Sequence, residues 1–213
     1  MSVINNLNQI KRSINSLSSN ANVIVVSKNY SLNHIQPLID SGHIDFGENR
    51  VQEAVEKWSL ILTKKTNLKL HLVGKLQTNK VKDALKIFSF IHSLDRQKLA
   101  ISLKKEQDRI GKNIKYFIQI NFDKQSHKSG IDVIEADDFI DYCRNELKLN
   151  VIGLMCLPPI KFNPELYFKS LANIAKNKSL GQLSMGMSGD YQIAVRLGAT
   201  YVRIGSAIFG KTV

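Results

Sequence analysis

A single parallel β/α barrel of the TIM type, a (β/α)8 fold, is the class this sequence predicts. Three observations predict it: short β-branched or apolar runs alternate with helical stretches, the runs number eight, and no linker or low-complexity break divides them. The candidate strands are 23–27, 44–46, 69–73, 88–94, 116–120, 151–157, 183–186 and 201–205. An open doubly wound sheet is the structural rival. Its dinucleotide fingerprint is missing, since no GxGxxG joins the first strand to its helix. At 213 residues the chain is shorter than the ~250 typical of such barrels. The loops must therefore be short, and one domain spanning 1–213 is expected.

The elements follow in order. Ile4, Leu7, Ile10, Ile14 and Leu17 recur at helical spacing, so an extra amphipathic helix precedes the first strand. That stretch lacks the uninterrupted apolar run of a signal peptide. Val51, Ala54, Val55, Trp58 and Leu62 form the apolar stripe of a helix after the second strand. Phe139, Ile140, Cys143 and Leu147 form another after the fifth. Asn163 and Pro164 supply an N-cap and a first-turn proline for the helix carrying Tyr167, Leu171, Ile174 and Ala175. Gly198 stands where a C-terminal cap would end the helix of Ile193, Ala194 and Leu197.

Composition narrows the function classes. The net charge is +12, from 30 Lys and Arg against 18 Asp and Glu. The excess is scattered over every predicted helix and loop, with no basic block and no aromatic-rich basic strand on which bases would stack. This describes a solvated basic surface that attracts anionic small molecules such as phosphate esters, not a specific nucleic-acid reader. No apolar run approaches the ~20 residues that span a bilayer. Cys143 and Cys156 have no metal-ligand spacing and read as small core residues, which fits a reduced cytoplasm.

In a barrel of this kind the chemistry sits at the C-terminal ends of the strands. Lys28 follows the run VIVVS and should emerge at that rim. Desolvation and nearby cations lower an amine's pKa and make it a nucleophile toward an aldehyde, although a rim lysine can also simply reach for solvent. After the second strand, Asn49 either caps the next helix or donates to a ligand, with capping the simpler role, and Glu48 can pair with a barrel cation. The third strand ends in an unusually polar stretch from His71 to Lys80, and the fourth ends near His92 and Asp95, where Asp95 can cap the next helix. Barrel phosphate sites commonly use the loops after strands seven and eight. Ser188, Gly205 and Ser206 fit that role, and they equally fit glycine turns with capping serines.

The segments VVSKNYS, DFGENRVQE, HLVGKLQTNK, IHSLDR, HKSGI, GLMCLPP and LSMGMSGDYQIAVRLGATYVRIGSAIFG together resemble the signature segments of the pyridoxal phosphate homeostasis protein family. They run in family order from about residue 23 to residue 210. The family is similar to the barrel domain of alanine racemase without that enzyme's added β domain, and no C-terminal β domain is expected here. The resemblance implies that Lys28 carries pyridoxal 5′-phosphate as an internal aldimine and that Asn49 lines the cofactor. It further implies phosphate contacts from Ser188, Gly205 and Ser206, and an arginine, Arg203, facing the pyridine nitrogen.

Arginine stays cationic at ordinary pH and disfavours a protonated pyridine, so the cofactor would be a weak electron sink, carried more than used. The implied function is a binding protein in intracellular cofactor and amino-acid homeostasis, monomeric and cytoplasmic, with no catalytic residue and no metal, and with pyridoxal-phosphate-dependent apoenzymes as recipients. The alternative is an amino-acid racemase, which needs acid/base groups on both faces of the aldimine. Lys28 could serve one face, and Tyr30 is not assigned to the other. Two positions depart from the family: Gln125 where a glutamate is expected before Lys128 and Gly130, and Arg50 where a tyrosine usually follows GEN.

Overall fold

The computed structural model describes residues 2–17, 20–123, 129–159 and 163–210. Helix α1 (Val3–Ser16) leads into β1 (Asn22–Val26), α2 (Leu32–Asp40), β2 (Asp45–Glu48), α3 (Val51–Lys64) and β3 (Lys69–Leu72). Next come α4 (Val81–Ile87), β4 (Phe90–Leu94), α5 (Gln97–Ile110), β5 (Lys115–Asn121), the two-residue β6 (Ile131–Asp132) and α6 (Ala136–Asp141). The chain continues through β7 (Val151–Cys156), α7 (Pro164–Asn177), β8 (Gln182–Ser184), α8 (Tyr191–Arg196), β9 (Tyr201–Ile204) and α9 (Ser206–Phe209).

Among the described residues every strand pairing is parallel, and the sheet closes. β1 sits between β2 and β9, and the order continues from β9 through β8, β7 and β5 until β5 pairs with β4. The closed ring uses eight strands, and β6 hangs on β5 outside it through Ile120–Ile131 and Asn121–Asp132. This is the expected (β/α)8 barrel. All eight predicted strands are present with ends shifted by one or two residues, and the two-residue β6 is added.

Strand alternation divides the interior into two zones. Val23 and Val25 of β1 face outward and join the large apolar cluster beneath the helices, which takes in Leu7, Ile10 and Ile14 of α1 and Trp58 of α3. Inside the ring, Phe90, Phe117 and Met155 form a separate small cluster with Tyr201 packed against it. Polar side chains share the lumen with it. His71 on β3 lies 5.8 Å, ring to ring, from Tyr201 on β9, and His92 on β4 hydrogen-bonds Ser184 on β8 at 2.8 Å. Neither strand pair is adjacent in the sheet, so both contacts cross the lumen.

Local chemistry sets the element ends much as the sequence suggests. Asn163 accepts from the Glu165 N–H at 3.0 Å and caps α7, with Pro164 in the first turn. Gly198 takes φ +89° just past α8. The stripe of Phe139, Ile140 and Cys143 is buried, but α6 stops at Asp141 and loosens into a π-helical turn over Tyr142–Glu146. Asp95 does not cap α5. Arg96 occupies that position and its guanidinium pairs with the Asp95 carboxylate. Both cysteines are free and buried, and burial pushes each thiol up to about 12. Among the described residues no helix is long and apolar enough to cross a membrane.

Candidate functional site

At the C-terminal ends of the strands lies a cleft of about 550 Å³. All six residues predicted to form a site line it: Lys28, Asn49, Ser188, Arg203, Gly205 and Ser206. Val26, Val73 and Leu157 add apolar wall. One region thus offers an amine, a cation and a glycine-serine loop.

Lys28 is the second residue beyond β1, after Ser27, and its backbone is held from two directions. Asn29 adopts a left-handed φ of +65°, which asparagine tolerates better than most residues, and the turn closes with Tyr30 N–H donating to Ser27 O at 3.2 Å. Behind it, the Lys57 ammonium donates to Ser27 O and to Glu48 Oε1, both at 2.9 Å. The same carboxylate oxygen accepts from Ser27 Oγ at 2.8 Å and from Trp58 Nε1 at 2.9 Å. So the barrel cation expected for Glu48 is Lys57 of α3, and the buried ion pair braces the chain immediately before Lys28. The Glu48 Oε2 atom is buried with no hydrogen-bond partner among the described residues.

Asn49 is not a cap. Helix α3 begins at Val51 with Arg50 in the capping position, so the Asn49 side chain is left to the cleft. Its backbone is fixed by the next loop: a Cβ on Gly74 would stand 2.2 Å from Asn49 O, a close approach that a side chain at position 74 would block. Arg50 pairs with Glu53 at 2.9 Å and lines a second cleft, with Lys75 and Lys80, that shares Asn49 as its wall. Gln125 and Lys128 lie outside the described residues.

On the opposite side, Ser188 Oγ accepts from Ala207 N–H at 3.2 Å, linking the loop after β8 to the first turn after β9. Asp190 Oδ1 accepts from Met187 N–H at 2.6 Å and rounds off the same loop. Tyr30 stacks on Phe209 with centroids 4.1 Å apart and donates to Gly210 O at 3.1 Å, joining the Lys28 side to the α9 side.

Arg203 rises from the lumen into the cleft and is only 4% exposed. Nη1 donates to Ser184 O at 2.6 Å and to Ser184 Oγ at 2.7 Å, while Nη2 donates to Cys156 O at 2.8 Å. Burial lowers its pKa from the ordinary arginine value, with the Cys156 thiol and Asp190 opposing. Beneath it, Ser184 contacts His92, His92 Nε2 lies 3.0 Å from His71 Nδ1, and His71 Nε2 lies 3.0 Å from Asp45 Oδ1. His71 lies within β3, inside the predicted strand 69–73, but its place in a lumen cluster was not anticipated. The signal that could have found it is parity: Asp45, Gly47, His71 and His92 fall on one face of their strands.

A closed eight-strand barrel with a lysine just beyond the first strand and an arginine on the last defines a class, and similarity agrees with it. Residues 2–213 match the family model described as alanine racemase, N-terminal domain. The pyridoxal phosphate homeostasis protein of Aquifex aeolicus (strain VF5) is 34% identical over 200 residues, covering 90% of this chain and 87% of its own length. That of Haemophilus influenzae is 33% identical, covering 99% and 96%. A solved structure of PipY from Synechococcus elongatus PCC7942, with pyridoxal phosphate bound, superposes with a TM-score of 0.82 at 32% identity, over 94% of this chain and 100% of that one. The chain belongs to the pyridoxal phosphate homeostasis protein family.

Proposed function

We propose that this chain binds pyridoxal 5′-phosphate through a Schiff base on Lys28 and holds it for intracellular cofactor and amino-acid homeostasis. The observation that carries this reading is the convergence of all six predicted residues on one cleft. Lys28 would supply the amine that holds the cofactor aldehyde. Ser188, Gly205 and Ser206 supply hydroxyl and backbone donors for the phosphate. Asn49 lines the ring. Arg203, fixed by three hydrogen bonds at the base, would face the ring nitrogen and disfavour its protonation. When bound, the cofactor supplies an electrophilic carbon and a ring that withdraws electrons weakly opposite a cation.

The names of the relatives and the bound ligand of PipY support this reading. It includes a single domain over 1–213, a monomer in the cytoplasm, and hand-over of cofactor to pyridoxal-phosphate-dependent apoenzymes. Mixing the purified chain with pyridoxal phosphate should produce the visible absorbance of a Schiff base, and borohydride should fix the label on the peptide carrying Lys28. Lys28→Ala should abolish both signals. Label on another peptide, or none, would overturn the assignment.

A further inference from the structure

We propose that Asp45, His71, His92 and Ser184 form a one-directional hydrogen-bond relay through the barrel that positions Arg203 from beneath. The direction follows from what each group can do. Arginine only donates, so Ser184 Oγ accepts from Nη1 at 2.7 Å and must send its own proton to His92 Nδ1 at 2.8 Å. His92 then carries its proton on Nε2 and donates to His71 Nδ1 at 3.0 Å. His71 in turn carries its proton on Nε2 and donates to Asp45 Oδ1 at 3.0 Å. Each step uses one donor and one acceptor, and both rings are neutral.

The opposite sense fails at Ser184. A His92 Nδ1–H and the Arg203 Nη1–H would both point at Oγ, and the hydroxyl proton would lose its acceptor. Protonating His71 sets its Nδ1–H against the His92 Nε2–H across 3.0 Å, and the conflict is relieved only by reversing the chain up to Ser184. Proton uptake at the Asp45 end therefore reaches Arg203.

The surroundings favour neutral rings. His71, His92 and Ser184 are wholly buried. His71 faces Asp45, Lys69 of its own strand, Lys115 of β5 and the Tyr201 ring, and His92 faces His71 and Arg203. Asp45 adds Lys69 and His43 to its neighbours, and Arg203 adds Asp190 and the Cys156 thiol. Burial lowers both imidazoles, and nearby cations add to it; Asp45 opposes the shift at His71, and nothing opposes it at His92, which is lowered further. Among the described residues no group of His, Cys, Asp or Glu is arranged to hold a metal ion.

The test begins with the full chain without cofactor. Long-range proton–nitrogen NMR should show His71 and His92 as neutral Nε2–H tautomers at neutral pH. Ser184→Ala should move the His92 Nδ1 resonance toward that of a nitrogen without a hydrogen bond, and Ser184→Thr should restore it. An Nδ1–H tautomer, an imidazolium at either ring, or indifference of His92 to Ser184→Ala would overturn the relay. If Ser184→Ala does not fold, the native tautomers decide.

The effect on bound cofactor rests on the binding proposed above. There, Ser184→Ala should shift the pH midpoint of bound pyridoxal phosphate absorbance by about one unit, with Lys28 still labelled by borohydride. An unmoved midpoint would remove the positioning of Arg203. Failure of the native chain to take up cofactor would overturn the binding reading and leave the tautomer result standing.

Discussion

Arg203 shows how strongly one residue can be committed to its sign. Its two terminal nitrogens meet Ser184 O, Ser184 Oγ and Cys156 O, all as acceptors, at the buried base of the cleft. Arg203→Glu would set a carboxylate against those oxygens and leave a buried charge uncompensated. A loss of about 3–5 kcal/mol is expected, read as a lower urea midpoint, and a variant as stable as the parent would contradict this account of the lumen. At this scale the sequence was legible where the resemblance reached. Lys28, Asn49, Ser188, Arg203, Gly205 and Ser206 all fall in one cleft. It was not legible where partners come from distant strands: nothing near Ser184 in sequence announces His92, and nothing near Glu48 before Lys57 announces its cation.

Among the elements, the loop after β3 presses on the end of β2. With a Cβ at position 74 only 2.2 Å from Asn49 O, Gly74→Ala must push that backbone aside. The expected cost is about 1–3 kcal/mol in stability, with weaker cofactor uptake in titration because Asn49 moves. Gly181→Ala, where an added Cβ meets nothing within 4 Å, should change neither reading by comparison. Strand positions were readable because fully buried parallel strands are continuous apolar runs. Their ends were less so: the run predicted over 183–186 closes at Ser184 because Gly186 turns away at φ +92°. Strand β6 escaped notice because two residues carry no period, and the π-helical turn escaped because Cys143 keeps its apolar spacing through it.

For the whole molecule, burying histidines in neutral form ties stability to pH. Burial, with the nearby Lys11 charge, lowers His43 to about 4, and burial also depresses His71 and His92. These folded-state values lie below those of the unfolded chain, so the unfolded state binds more protons as the pH falls through the histidine range. The stabilisation is complete above the unfolded value of ~6.5 and is lost on acidification toward the folded values. His43 alone accounts for about 3 kcal/mol between about pH 6.5 and its folded value of about 4. Urea midpoints measured from pH 7 down to pH 4.5 should fall steeply, and His43→Gln should flatten the slope. A flat profile in the native chain would contradict neutral burial.

The brace behind Lys28 has one more consequence. Trp58, the single tryptophan of the chain, is wholly buried and hydrogen-bonded to the carboxylate that Lys57 also holds. The protein therefore carries one indole fluorophore, shielded from quenching by solvent and wired to the backbone at the cleft. Tryptophan emission overlaps the absorption of pyridoxal Schiff bases, so under the proposed binding energy transfer from this one indole would report occupancy of the cleft optically, without a label.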